Sequence, residues 1–361
     1  MATFSGQLRS NEIFSALYNM IISQEVFADN LGKHQTLVDK ARVDGGLYGD
    51  TKLFYSTDVL KSVEWGNDAE AANLLALHRP AAPECQAITL DVFRQICLTV
   101  DNYLSKRAWA DEGAFSSFNS VMLGWMGETK KVYDGTLYNV FIGTTVAEGA
   151  GQTVEVDLSE AEALEGTEKA KMEAMLIAQA LADLIVAMGD YSRDFNDYGN
   201  LRSYAEDSIK VIWNAKFVNK IRKVDLPTIF HKDGLMDKFE EEVLPERYFG
   251  EVIASATAAG SNTGSFRSTI ETDYEVGGEV THVFPGDLIP AGVAIAAGEG
   301  YEVDDGIICK VLVKLPPYMS AFEVGTSFFN PKSLTENHYL TFGHNTLEYL
   351  KNYPFITVQV K

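Results

Sequence analysis

The sequence predicts an α+β protein on three observations. Strand-like runs with period-two alternation occur early, at 45–104, and return from about residue 281 to the C-terminus. Two long helical runs lie between them, at 111–142 and 159–188. There is neither an internal repeat nor a coiled-coil heptad run, so repeat architectures are set aside.

The first element is an amphipathic helix over 10–31. Ser10 and Asn11 serve as N-caps, Ile13, Phe14, Leu17, Tyr18, Ile21, Val26 and Phe27 recur at mostly helical spacing, and Gly32 ends it. It packs on the core or docks on a neighbouring copy.

Residues 45–104 read as a long hairpin. GGLYGDTKLFYSTDVL turns from a glycine cluster into a strand carrying Phe54 and Tyr55. AITLDVFRQICLTV alternates through Ile88, Leu90 and Val92, then Ile96, Leu98 and Val100. The polar stretch between them holds Gly66, Asn67, Asp68, Pro80 and Pro83 as breakers and forms an irregular tip. An isolated hairpin cannot bury its own apolar face, so this one must lie against something, a partner subunit being one candidate.

From Asp111 to Ile142 apolar residues recur every three or four positions, which predicts a long helix bent or broken at Gly124, Gly127 or Gly135. AEGAGQ then links to a short strand, TVEVDL, and a second helix over 159–188. The acidic first half of that helix suits solvent and the helix dipole, and MLIAQALADLIVAM suits a core. SIKVIWNAKFVNKI reads as a buried strand entering a helix, and the Gly-, Ala-, Ser- and Thr-rich 254–280 as a surface loop. THVFPGDLIPAGVAI, GIICKVLVKLP and YPFITVQV supply the closing strands.

Net charge is −21, from 30 Lys plus Arg against 51 Asp plus Glu, the wrong sign for a protein that grips phosphate along its length. Cys85, Cys97 and Cys309 are an odd number without C-x-x-C spacing, and read as core thiols of a reducing compartment. The first residues lack a secretory pattern and nowhere do ~20 apolar residues run together, so the expectation is synthesis in the cytosol and no membrane.

Chemistry-bearing motifs are few. Phosphate-loop, nucleophile-elbow, zinc-protease and dinucleotide signatures are missing from the sequence. DFNDYG, residues 194–199, begins like a calcium loop, but its fifth position is Tyr198 and its twelfth Ala205, which favours an Asp/Asn-rich turn between a helix and the next domain. KFVNKIRK, residues 216–223, is the densest basic stretch and reads as a solvated or ion-paired face ahead of a phosphate contact. His338 and His344, with Glu336 and Glu348, are the candidates for a metal-dependent hydrolase. Spaced six apart they share no helical face, and on a strand they stand ~20 Å apart unless Gly343 makes a turn. Structural histidines are the favoured account. No cofactor, metal or catalytic residue is assigned.

Taken in order, arm, hairpin, long helix, mixed domain and returning strands resemble the major capsid protein of tailed bacteriophages, the Hong Kong 97 type. NEIFSALYNMIISQEVFADN, RVDGGLYGDTKLFYSTDVLK, VIWNAKFVNKI and FEVGTSFFNPKSLTENHYLTFGHNTLEYLKNYPF are similar in texture to such proteins. The resemblance implies an N-terminal arm at 1–44, an E-loop at 45–104 and a peripheral domain with its spine helix at 105–195. An axial domain at 196–314, including the 254–280 loop, and a C-terminal return to the peripheral domain at 315–361 complete the series. It further implies a non-enzymatic subunit of the virion, made in the host bacterial cytoplasm, that forms pentamers and hexamers around double-stranded DNA. The acidic excess suits this, since a uniformly basic lining would trap the genome. Phe14, Leu17, Phe27, Phe54, Tyr55, Ile88, Leu90 and Val92 become subunit-interface candidates. A separate scaffolding protein is expected because no long helical extension precedes the arm, together with a portal and a decoration protein as further partners. Some relatives crosslink a hairpin lysine to an asparagine; Lys52 and Lys61, Asn330 and Asn345 lie in matching regions, and nothing in the sequence pairs them. An encapsulin-like compartment shares the same expected fold.

Overall fold

The computed structural model describes residues 36–45, 50–62, 77–101, 112–218, 240–253, 262 and 264–361. The expected helix at 10–31 with Phe14, Leu17 and Phe27, the hairpin tip at 63–76 and the basic residues at 219–223 lie outside these. The chain forms two compact units, one from residues up to 50, 90–135 and 318–346, the other from 51–89, 136–317 and 347–361.

The first unit opens with helix α1 (Thr36–Ala41) and strand β1 (Arg42–Asp44). Its sheet has the order β1-β13-β14-β3, with β13 at Tyr318–Asn330, β14 at Thr335–Asn345 and β3 at Glu84–Val100. β1 runs parallel to β13, pairing Arg42 with Tyr318; the other pairings are antiparallel. Residues directly opposite share a face, so Phe342 and Arg94, or His344 and Val92, point the same way. That face meets helix α2 (Glu112–Thr144), where the Tyr133 ring lies 5.6 Å from Phe342. The other face is polar, with Gln95 bonded to Thr341 at 2.9 Å and Thr99 to Asn337 at 2.7 Å.

Helix α2 is one unbroken element of 33 residues, against the expected break at Gly124, Gly127 or Gly135. A glycine costs a helix interior only about 1 kcal/mol, which tertiary packing offsets. A second correction concerns Gly343. It sits inside β14 and makes no turn, because a Cβ there would meet the Phe93 ring at 2.8 Å. Glycine is required by a neighbour's ring, not by chain reversal.

The second unit is built on a five-stranded sheet of order β4-β15-β12-β5-β6: β4 Thr153–Val156, β15 Phe355–Val360, β12 Ile307–Leu312, β5 Lys210–Asn214 and β6 Glu240–Leu244. A helical turn, α3 (Ser159–Glu162), precedes helix α4 (Gly166–Gly189), and Gly166 begins α4 at φ 61°. α4 is apolar and long enough to cross a membrane by composition, yet it packs in a protein core. Ile177, Leu181, Leu184, Ile185 and Met188 meet Val211, Trp213, Cys309, Val311, Ile356 and Val358 on one face of the sheet. Truncating one such leucine to alanine costs about 2–5 kcal/mol. The structure therefore joins α4 to the sheet that follows it, where the sequence reading put a boundary at 195. Period alone shows that a helix face is buried, not which sheet buries it.

A smaller sheet, β7-β11-β8 (Gly250–Val252, Gly300–Val303, Phe266–Ser268), adjoins a hairpin of β9 (Thr272–Val276) and β10 (Glu279–Val283). Much of the loop expected over 254–280 is thus strand. Gly277 and Gly278, at φ 62° and 88°, form a two-residue turn whose positive φ values match the twist of the flanking strands. Strand β2 (Thr51–Ser56) pairs antiparallel with Glu84–Thr89 of β3 and completes the unit.

Candidate functional site

In the first unit the side chains converge on Asp134, which is fully buried in α2. One turn earlier on the same helix, Lys130 donates to it at 2.9 Å. Arg42 of β1 donates to the same carboxylate at 3.2 Å and the Tyr318 hydroxyl at 2.6 Å. Burial, then the carboxylate itself, pushes the Tyr318 phenol far up, so it stays a donor. Lys130 also faces Glu323 at 3.7 Å and the Phe342 ring. A buried carboxylate with three donors is satisfied, and the cluster fixes the strand that follows α1 against helix and sheet.

His344 belongs to the same interior. Its Nδ1 faces the Asn345 carbonyl at 2.9 Å, which can only accept, so Nδ1 carries the proton and Nε2 accepts from the Tyr133 hydroxyl at 2.8 Å. The ring stacks on Tyr318, and Arg94 lies 5.0 Å over Tyr133. Burial lowers the His344 pKa, which keeps the imidazole neutral. With both nitrogens engaged, His344 has none to offer a metal. His338 stands apart on the strand, 4.0 Å from Glu336. The two histidines are not brought together, and the hydrolase constellation does not assemble.

In the second unit, polar contacts tie the tip-side end of strand β2 to the body of the unit. Asn200 donates to Ser56 Oγ at 2.6 Å and Ser56 to Asn352 at 2.5 Å. Arg202 donates to the Thr57 carbonyl at 2.5 Å, and Arg193 to Asp58 at 2.8 Å. The Arg193 bond leads the causes that lower Asp58 to about 2. The DFNDYG segment supplies part of this support. Asn196 bonds the backbone of Asn200 in both directions, and Asp197 accepts from Gly149 N, Gln152 and the Tyr349 hydroxyl. With Gly199 N returning to the Asn196 carbonyl at 3.2 Å, the segment is an Asp/Asn-rich turn whose carboxylate and amide are taken up by protein donors and acceptors. At the other end of the basic stretch, Lys216 pairs with Asp305 at 3.0 Å and Glu246 at 3.3 Å.

The interface candidates divide. Ile88 and Leu90, each 2% exposed, are core residues of this chain, and Val92 is half-buried. Alternation showed which residues share a face, not what covers it. Tyr55 is exposed, together with Leu53 and Val59, while Leu60 is 78% and Leu77 82% exposed. Phe54 lines a cleft of about 190 Å³ with Tyr198, Leu350 and Tyr353, and Lys314 Nζ lies 5.6 Å from its ring centroid. Of the crosslink candidates, Asn345 is fully buried and bonds Met319 N at 2.7 Å. Sequence reasoning missed Lys130, Asp134 and Lys310. Signals existed in the i,i+4 pair of opposite charge and in a lysine set inside the apolar run IICKVL.

No protein-family model and no curated protein sequence matches the chain. Solved structures do. A chain of the capsid structure of Staphylococcus phage Andhra superposes with a TM-score of 0.62 at 10% identity, over 94% of this chain and 87% of that one. A chain from the structure of the head fiber and inner core protein gp22 of native bacteriophage P68 gives 0.59 at 10% identity, over 90% and 84%. The chain has a phage capsid fold. At such identity the likeness is one of α+β architecture.

Proposed function

We infer that the chain is the major capsid protein of a tailed bacteriophage, of the Hong Kong 97 type, a structural subunit without catalytic activity. The observation that carries this is the likeness to capsid chains over nine-tenths of its length. In this reading copies join as pentamers and hexamers into an icosahedral shell around double-stranded DNA, and the protein is made in the host cytoplasm and resides in the virion. Residues 1–44 act as the arm and 45–104 as the E-loop that reaches a neighbour. The exposed Leu53, Tyr55, Leu60 and Leu77 support this role, since exposed apolar side chains gain free energy by contact with another surface. Net charge of −21 suits a container that does not adhere to its genome. A separate scaffolding protein, a portal and a decoration protein complete the proposed set of partners.

Electron microscopy of the purified protein, alone and co-expressed with a candidate scaffolding protein, tests the reading. Closed shells with five- and six-fold clusters are expected, and small monodisperse subunits in both preparations would overturn it. Nuclease-protected DNA inside particles from infected cells separates this function from that of an encapsulin-like compartment, whose particles enclose protein cargo.

A further inference from the structure

We propose that Lys310 is held as an uncharged amine that closes the C-terminal end of helix α2 onto the second unit's sheet, so that opening this junction takes up one proton. Lys310 stands on β12, the central strand, between Thr357 on β15 and Ile212 on β5. Its side chain is fully buried, on the face of the sheet opposite α4. Nζ donates to the Thr145 carbonyl at 2.9 Å and to Thr357 Oγ1 at 2.8 Å. Thr145 directly follows α2, and its own N–H returns to the Phe141 carbonyl at 3.0 Å. Its carbonyl therefore belongs to the last turn of the helix, where no backbone donor follows within the helix.

Donor counting favours the neutral amine. A primary amine has two N–H groups, which match the two acceptors at hand. An ammonium has three, and its charge would be buried with only neutral oxygens in contact. Among the described residues no counter-charge lies at hydrogen-bond distance, and the nearby charge that acts on the amine, Asp304, does so without contact. From α2 comes Tyr138, a phenol pushed up by burial that donates to the Pro316 carbonyl. Beside it on β12, Cys309 faces away and burial keeps its thiol protonated. Asp304, before β12, is spent on Gly306 N at 2.8 Å. Lys210, on the same face of β5, is paired with Glu240. Asp197, near the loop that follows α2, is closed by Gly149, Gln152 and Tyr349. Burial accordingly holds the Lys310 pKa down to about 7 from 10.5.

Between those two values the closed junction lacks a proton that the opened lysine binds. Raising the pH through this window therefore stabilises the closed form, by about tenfold in the opening constant per pH unit. The consequence is a proton-linked latch at the end of the longest helix, independent of whether copies form a shell. Urea unfolding of the full-length protein at pH 7.5 and 9.5, compared with Lys310→Met, reads it. The wild-type unfolding constant is expected to fall about a hundredfold more than that of the variant over this range. Equal pH dependence in the two proteins would overturn the proposal. Should the variant not fold, ¹⁵N-lysine NMR of the wild type decides it: an Nζ resonance at the amine position at pH 8.5 supports the latch, and an ammonium resonance sinks it.

Discussion

Replacing Asp134 with alanine is the sharpest test of how the first unit holds its leading strand. The substitution removes one fully buried carboxylate and strands three donors: Lys130 at 2.9 Å, Arg42 at 3.2 Å and the Tyr318 hydroxyl at 2.6 Å. Lys130, only 5% exposed, keeps Glu323 as a counter-charge, but at 3.7 Å and more than half in water. Breaking a buried pair by deleting one partner costs about 3–5 kcal/mol, mostly the cost of the charge left behind. At 1.36 kcal/mol per factor of ten, this corresponds to an opening constant raised by about a hundredfold to a few thousandfold. Native-state hydrogen exchange at the β1–β13 junction reads it directly, at Gly45 N, bonded to the Ser320 carbonyl at 3.0 Å, and at Met319 N, bonded to Asn345. The double variant Lys130→Met with Asp134→Leu removes both charges together and should regain most of the loss. Less than about threefold deprotection in Asp134→Ala, or a double variant as damaged as the single one, would refute the reasoning.

Gly143→Ala should destabilise the second unit by more than the usual ~1–3 kcal/mol of overpacking. The new Cβ would lie 2.0 Å from the Tyr248 carbonyl, a backbone atom that cannot step aside, and the thermal midpoint should fall accordingly. His344 is neutral when folded and protonates below 6.5 when unfolded, so its contribution is lost as pH falls through 6.5. Wild-type exchange protection in β14 should drop between pH 7.5 and 5.5, and His344→Phe should lack this component. Leu60→Ser with Leu77→Ser removes the two most exposed leucines of the hairpin. Each buried leucine contributes about 1.5–3 kcal/mol, so the subunit concentration needed for shells should rise by about a hundredfold or more while the circular dichroism of the free subunit stays unchanged.

Elements whose pattern is set by local period were legible in the sequence. FITVQV, IICKVL and the alternation of 88–100 became strands, and MLIAQALADLIVAM became a buried helix. Features that depend on what faces a residue were not. Ile88 and Leu90 read as partner-facing because alternation defines a face without naming its cover, and the chain covers it itself. Gly343 read as a turn because glycine signals both reversal and close approach, and here the Phe93 ring decides. EVGGEV carried a direct hairpin signal that the small-residue composition around it masked. Residues of the Asp134 cluster lie 92 and 184 positions apart in sequence, so only the Lys130 spacing hinted at it.

The hairpin carries two kinds of contact, polar ties and exposed apolar side chains, and temperature acts on the two differently. Ser56, Thr57 and Asp58 are tied by hydrogen bonds and the Arg193–Asp58 pair, whereas Leu53 and Tyr55 before them and Leu60 and Leu77 beyond them face water. Apolar contact near room temperature is driven by the release of water and weakens on cooling. A shell joined through this hairpin loosens first at its contacts in the cold, with each subunit still folded and its hairpin still rooted. Chilling would then separate copies that warming restores.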